Sequence, residues 1–512
     1  MRRTTIFLMI ITLLSKLTGL IREQAFAYFL GTSNIMDAYS TASTIPFILF
    51  GSILTSLVAG YIPIYTEIKT KHGENKAKLF TSNLLNIIML ISTVFIAIII
   101  LIAPILVSIF APAYAGEKRE ISIQFTRIFA FSLYPTMISA IFIAFLQMKN
   151  RFIISETPGI IMNFFHVITL IISVKLKNYY IIAYGILITE FLKYFLFPSA
   201  IKSEYYSHKI VLDFKDKYIY KLIKFAIPLL ISISAMDLLT ITDQSLASII
   251  MPTGGVSSIK YGNLIYQLIS GVIIVSITTS IYPSMSKLAS ENRIKEMKKT
   301  MMSGLTAAYI LIIPSMIGIM ILSKPLVKIL LERGVFNQNS TAIISGVLFF
   351  YTPTILGFSI KQIINRGFYS LQNTKIPIYA TLIQVSLNIT LDVILSYFWG
   401  LNGLAIATAI ASISAASYEI YSFRKHYGSI EFMQFLHKIT KIAIISYIMG
   451  IFTLLIYNLL QTTSYILALI SSIIISIFVF MILIIFARIP EVMNLVNKLY
   501  HRFIKQKVKK ND

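Results

Sequence analysis

GYIPIYTEI at residues 60–68 and SIYPSMSKL at residues 280–288 each hold a proline in the same apolar setting, 220 residues apart, and this pairing decides the fold. Three more pairs follow in step: Pro104 in APILVSIF with Pro325 in KPLVKILL, Pro135 in LYPTMIS with Pro353 in YTPTILG, and Pro158 in ETPGII with Pro377 in KIPIYA. Their offsets are 221, 218 and 219 residues. Four near-equal offsets divide the chain into an N-terminal lobe at 1–215, a C-terminal lobe at 216–430, two extra helices at 431–487 and a basic tail at 488–512. Six spans per lobe is an even number, so the repeats are parallel, related by an axis along the membrane normal. Transporters that rock two halves about a central site are built this way.

The composition agrees with a membrane protein: 56% of residues are hydrophobic, 13% are charged and the mean hydropathy is +0.79. Runs long enough to cross about 30 Å of hydrocarbon lie near 6–30, 37–65, 79–112, 121–148, 152–174 and 179–201. Six more lie near 219–250, 256–286, 300–323, 341–370, 376–398 and 403–423, and two near 441–461 and 464–487. The expected fold is therefore an all-α polytopic membrane protein of about 14 spans. MRR followed by an apolar stretch looks like a signal peptide, but no small-residue cleavage site follows and the run continues through Lys16 and Arg22. It reads as an uncleaved first span.

Lys and Arg set the orientation. With the N-terminus inside, 31 of the 45 fall on the cytoplasmic face, 7 on the opposite face and 7 within spans. Both termini are thus expected in the cytoplasm. The net charge of +24 is then mainly a topology signal, aided by anionic lipid, and does not point to nucleic acid. The absence of cysteine excludes disulfides and thiolate chemistry.

The seven basic residues within spans are Lys16, Arg22, Arg127, Lys193, Lys260, Lys361 and Arg366. A charge in the bilayer is costly, so it normally faces a protein interior or wet cavity and has a partner or a substrate. Projecting the first span onto the seventh sets Lys16 near Met236 and Asp237, and Arg22 near Thr242 and Asp243. One lobe offers cations where the other offers carboxylates, as expected if one binds an anionic substrate and the other a coupling cation. The plainer reading neutralises Arg22 with Glu23 or Asp37, and Asp243 with Lys260. Enzyme chemistry finds no support: there is no GxxxxGK[ST] loop, no HExxH and no grouping among the six histidines.

SKLTGLIREQAFAYFLGTSNIMDAY at residues 15–39 resembles the first-span signature of the MurJ (MviN) lipid II flippases, within the multidrug/oligosaccharidyl-lipid/polysaccharide exporter superfamily. LLERGVFNQNST at 330–341, the segment 361–377 with NRGFYSLQNTKIP, and GLNGLAIATAIAS at 400–412 resemble it too. The resemblance implies a flippase, not an enzyme, in the bacterial cytoplasmic membrane, taking lipid II from the inner to the outer leaflet by alternating access for peptidoglycan synthesis; a single swing of the two lobes needs no oligomer, so a monomer is expected. Ser15, Lys16, Gly19, Arg22, Glu23 and Asp37 match the family's cavity motif, with Lys and Glu at usual Arg and Asp positions. Lys16 and Arg22 are separated by a net 120° of helical rotation, so they flank a pyrophosphate rather than stack on one line.

The family often has arginine at the positions of Phe50 and Leu264. Lys260, one turn before Leu264, either replaces that charge or snorkels outward. Asn388 and Asp392 are i,i+4 in span 11, Leu404 and Thr408 are i,i+4 in span 12, and Asp243 approaches from span 7. These positions match a sodium site of some family members, with Asp237 as a nearby alternative to Asp243. Their hard oxygens suit Na⁺ or proton exchange; the other reading is an interhelical hydrogen-bond cluster. No other cofactor is expected. The family also implies a lipid-facing groove at spans 13 and 14 for the isoprenoid tail. Rival functions are flipping another lipid-linked oligosaccharide, cation-coupled drug export, and a non-transporting lipid-binding scaffold.

Overall fold

The computed structural model describes residues 2–149, 151–194 and 197–493. Most of the expected basic tail, 494–512, lies outside the described residues. Eighteen helices follow one another: α1 Arg2–Leu30, α2 Asn34–His72, α3 Glu74–Phe110, α4 Gly116–Ala130, α5 Leu133–Met148, α6 Phe152–Lys175, α7 Tyr180–Tyr194, α8 Phe197–Ser203 and α9 Lys217–Ile250. Then come α10 Gly255–Ser290, α11 Ile294–Ile321, α12 Ser323–Leu331, α13 Gln338–Tyr351, α14 Thr354–Ser370, α15 Lys375–Trp399, α16 Leu401–Tyr427, α17 Phe432–Leu460 and α18 Tyr465–Phe486.

Among the described residues nine helices are long and apolar enough to span a membrane, or eleven if each of two bent pairs counts as one span. The other three expected spans fall on α1, on α7 with α8, and on α10. The faces turned outward are apolar, as lipid requires: Leu101 on α3, Leu459 on α17 and Phe486 on α18 are all exposed.

The two bent pairs bear on the repeat. α4 and α5 meet at 42° and α13 and α14 at 41°, with breaks at 131–132 and 352–353. Those breaks are 221 residues apart, in register with the proline offsets. Pro135 stands in the first turn of α5 and Pro353 caps α14, where a missing N–H costs nothing. The helices around Pro104 and Pro325 differ. α3 runs unbroken through Pro104, whereas its counterpart stops at Ile321 and restarts as α12, with Pro325 in the first turn.

Packing divides the chain into two compact units: Met1–Ser258 with Leu331–Ser340, and Ile259–Leu330 with Thr341–Asp512. The expected division at 215 follows the repeat. Compactness instead keeps α9 with the first unit, because α9 lies along α2. Leu222 and Phe225 of α9 sit over Gly60, where a Cβ would come within 2.6 Å of Leu222. Ser234 also donates to Ser52 Oγ across 3.2 Å. The segment 331–340, which carries RGVF, joins the first unit through Val335 N–H to Tyr28 O (2.9 Å) and the Thr32–Ser340 hydroxyl pair (2.8 Å). In the second unit α15 packs along α16, α14 on α16, and α11 on α14 and α17, with α17 on α18.

Candidate functional site

In the first unit the seam between α1 and α6 is tight because small residues line it. A Cβ on Gly159 would come within 2.7 Å of Ser15 Oγ, and one on Gly19 within 3.5 Å of Asn163. Asn163, buried on α6, uses this approach. Its Nδ2 donates to Ser15 O (3.2 Å) and Thr18 Oγ1 (3.0 Å), while its Oδ1 accepts from Arg22 Nη1 (3.0 Å). Arg22 also donates through Nε (3.2 Å) and Nη2 (2.6 Å) to Glu23 Oε1. Of the two partners open to Arg22, the structure selects Glu23, which is buried. Ser15 is half-buried with its carbonyl engaged, and Lys16 is exposed.

Asp37 has other partners. Fully buried in the first turn of α2, it accepts from Lys118 Nζ (2.7 Å), Gly254 N–H (2.6 Å) and Ser257 N–H (2.9 Å). Gly255 opens α10, so the carboxylate caps that helix where its free N–H groups and positive dipole end lie. Lys118 also donates to Pro252 O and stands 3.9 Å over the Tyr114 ring. Gly254 holds φ at +89°, a conformation L side chains rarely adopt. Asp37 thus ties α2, α4 and the α9–α10 connection together.

Phe50, a usual arginine position, is buried and stacks edge-on against Phe95 at 4.5 Å, so this part of α2 is apolar core. Lys260 and Leu264 are both half-buried on α10. Among the other intramembrane cations, Arg127 donates to Ile100 O (3.3 Å), Arg366 lies 5.0 Å from the Tyr282 ring centre, and Lys361 donates to Gln384 Oε1. The Lys193 side chain lies outside the described residues.

In the second unit, four of the expected cation-site residues lie buried on the packed pair α15 and α16: Asn388, Asp392, Leu404 and Thr408. Asn388 Nδ2 donates to Asp392 Oδ1 (3.1 Å), and Thr408 Oγ1 donates to Leu404 O (3.0 Å), which leaves the hydroxyl's lone pairs available. Asn388 Oδ1 is buried with no hydrogen-bond partner among the described residues. An orphaned acceptor beside a carboxylate fits a hard cation. Asp243, half-buried on α9, belongs to the first unit, as does Asp237. Among the described residues no three His, Asp or Glu side chains gather as a metal-binding group.

The second unit also contains an apolar cavity of about 850 Å³, lined by Ile277 of α10, Pro314 and Gly318 of α11, Met449 of α17, and Phe480 and Ile484 of α18. Its α17–α18 wall is pinned by a Thr453–Ser476 hydroxyl hydrogen bond (2.6 Å).

Sequence reasoning missed Asn163 and Lys118. Each acts on an element far along the chain, and nothing in the local pattern marks Lys118. Spacing offered one signal: Asn163 stands one turn beyond Gly159 in a helix otherwise apolar at that level.

A multi-span, all-helical chain with ionisable groups held inside its spans is a membrane protein of the transporter type. Its fold is shared with the solved "Inward-facing conformation of a multidrug resistance MATE family transporter of the MOP superfamily" (TM-score 0.65, 12% identity, 81% of this chain and 99% of that chain covered). The family model described as "Lipid II flippase MurJ" matches residues 26–485, and the chain belongs to that family. It is 27% identical over 415 residues to the "Probable lipid II flippase MurJ" of Rickettsia prowazekii (strain Madrid E), covering 80% of this chain and 81% of that relative. It is 28% identical over 429 residues to the "Lipid II flippase MurJ" of Thermosipho africanus (strain TCF52B), covering 82% and 85%. The solved "Lipid II flippase MurJ, inward closed conformation" superposes with a TM-score of 0.81 at 27% identity, covering 94% of this chain and 99% of that chain.

Proposed function

We propose that the chain carries lipid II, the undecaprenyl-pyrophosphate-linked disaccharide-pentapeptide, from the inner to the outer leaflet of the bacterial cytoplasmic membrane by alternating access. The family match carries this reading. The α1–α6 seam supports it chemically. A guanidinium has five N–H donors, and Arg22 commits three of them to Asn163 and Glu23. Two donors are left for a phosphate, on a head group whose orientation is already fixed. Lys16, exposed on the same helix, supplies a second and mobile cation. Ser15 and Glu23 flank this pair, and Asp37 positions the helices around it; in the second unit Lys260 provides a basic charge one turn from Leu264.

The pyrophosphate and sugars pass through protein because exposing them to hydrocarbon carries a large desolvation cost. The isoprenoid tail stays in the membrane, and the apolar cavity beside α11, α17 and α18 is suited to it. No bond is made or broken, so the chain acts as a transporter and not as an enzyme, and one monomer suffices. Asn388, Asp392, Leu404 O and Thr408 would hold Na⁺ or exchange H⁺, and the bound ion would supply the charge that biases one state of the cycle over the other. Both termini face the cytoplasm, as the Lys and Arg distribution requires.

The test is complementation. A bacterium depleted of its own lipid II flippase should grow and keep its shape when it makes this chain. Lysis despite confirmed membrane expression would contradict the proposal.

A further inference from the structure

The second unit buries an ionisable group that neither the α1–α6 seam nor the expected cation site uses. Glu419 on α16 is fully enclosed, and neither carboxylate oxygen has a hydrogen-bond partner among the described residues. Lys361 acts on it by charge, and Asn365, one turn further along α14, is the amide that approaches it as a donor. Lys361 is itself buried, and its ammonium donates to Gln384 Oε1 on α15. Because α16 packs against both α14 and α15, the charged and titratable groups around this carboxyl come from those two helices. They are Lys361, Arg366 and Tyr369 on α14, while Asp392 lies farther along α15, eight residues beyond Gln384.

An ionised carboxylate enclosed with at most one amide donor is poorly solvated, and a structure retains such a group only where a counter-charge or a proton compensates it. Lys361 is the counter-charge within reach. The pair is neutral overall either as two ions or after the ammonium proton has passed to the carboxyl. One further proton gained or lost changes the charge of the unit's interior. A wholly structural ion pair would instead show direct, saturated hydrogen bonding between its partners, as Asp37 and Lys118 do in the first unit.

We infer that Glu419 is a proton-binding carboxyl of the second unit, with Lys361 as its counter-charge. The carboxyl takes one proton from the aqueous phase and returns it, with no other bond changed. This site stands on α14, α15 and α16 alone and does not depend on which lipid is transported. It is separate from Asp392, though on the same packed helices. Gln384, Asn388 and Asp392 recur every four residues along the buried face of α15 and form a polar stripe between the two.

The experiment is infrared difference spectroscopy of the purified full-length chain, titrated over roughly pH 5 to 9, the range in which buried carboxyls and lysines change state. The expected result is a protonated-carboxyl C=O band that titrates, disappears in Glu419→Gln and survives in Asp392→Asn. Should Glu419→Gln fail to fold, Lys361→Met decides, since without its counter-charge the carboxyl should stay protonated and the band should persist across the whole range. A wild-type spectrum with no titrating carboxyl band, a band unmoved by Glu419→Gln, or a Lys361→Met titration identical to wild type would overturn the inference.

Discussion

Asp37 and Lys118 form the most completely enclosed ion pair described in the first unit, so their removal has a calculable effect. Lys118→Met leaves the Asp37 carboxylate with only the Gly254 and Ser257 N–H groups, while Asp37→Asn leaves the Lys118 ammonium with the Pro252 carbonyl and the Tyr114 ring. Breaking one side of a buried pair costs about 3–5 kcal/mol because the other charge is left uncompensated. The remaining partners place each single variant at the lower end, about 3 kcal/mol. The double variant removes both charges, and the side-chain amide introduced by Asp37→Asn would still accept from one backbone N–H of α10. Its cost should also be about 3 kcal/mol, so the two substitutions should fall short of additivity by about that amount. The assay is equilibrium unfolding of the purified protein for wild type, both singles and the double. Singles that each cost less than about 1 kcal/mol, or a double equal to their sum, would show that Asp37 does not organise α2, α4 and the α9–α10 connection as described.

Asn163→Ala removes three hydrogen bonds across the α1–α6 seam, and at about 0.6 kcal/mol per interhelical bond should cost about 2 kcal/mol of stability and impair transport by freeing Arg22; differential unfolding and a flipping assay read the two effects. Asp392→Asn should abolish any dependence of transport on sodium, measured by replacing Na⁺ with a larger organic cation; unchanged sodium dependence would remove the α15–α16 seam from coupling. His208, in the connection between α8 and α9, lies 2.9 Å from Asn86 Oδ1 and 3.2 Å from the Tyr206 hydroxyl, and partial burial holds its pKa below 6.5. The unfolded chain therefore takes up this proton first as pH falls, so His208's contribution is intact above pH 6.5 and is lost as pH drops from there toward the folded value. Unfolding midpoints followed against pH should show this slope in wild type and not in His208→Gln.

The architecture was legible because it is written in periodic, local signals. The apolar runs mark the helices, whereas the paired breaks near 131 and 352 fall inside the runs 121–148 and 341–370, which stay apolar through them and read as unbroken spans. The split of the second copy into α11 and α12 was not legible, because Pro104 and Pro325 are equivalent in sequence and differ only in whether the helix ends before them. Chemistry at the site was read in residue types but not in partners. Arg22 needed a counter-charge, yet choosing between Glu23 and Asp37 required knowing that α4 brings Lys118 to Asp37. Asn163 binds three groups 141 to 148 residues away in the chain, and no spacing rule reaches so far. Phe50 shows the converse: a position where an arginine was usual is filled by an aromatic packed on Phe95, so the charge distribution of this chain had to be read from its own residues.

The central claim is movement of lipid II between leaflets, and it is tested most directly by the fraction of lipid II reachable by a membrane-impermeant probe in cells depleted of their own flippase and supplied with this chain. The account predicts that outer-leaflet lipid II returns with the wild-type chain and stays low when Lys16 and Arg22 are both replaced by alanine. Lipid II that remains inside despite confirmed membrane expression, or that returns equally with the double variant, would contradict it.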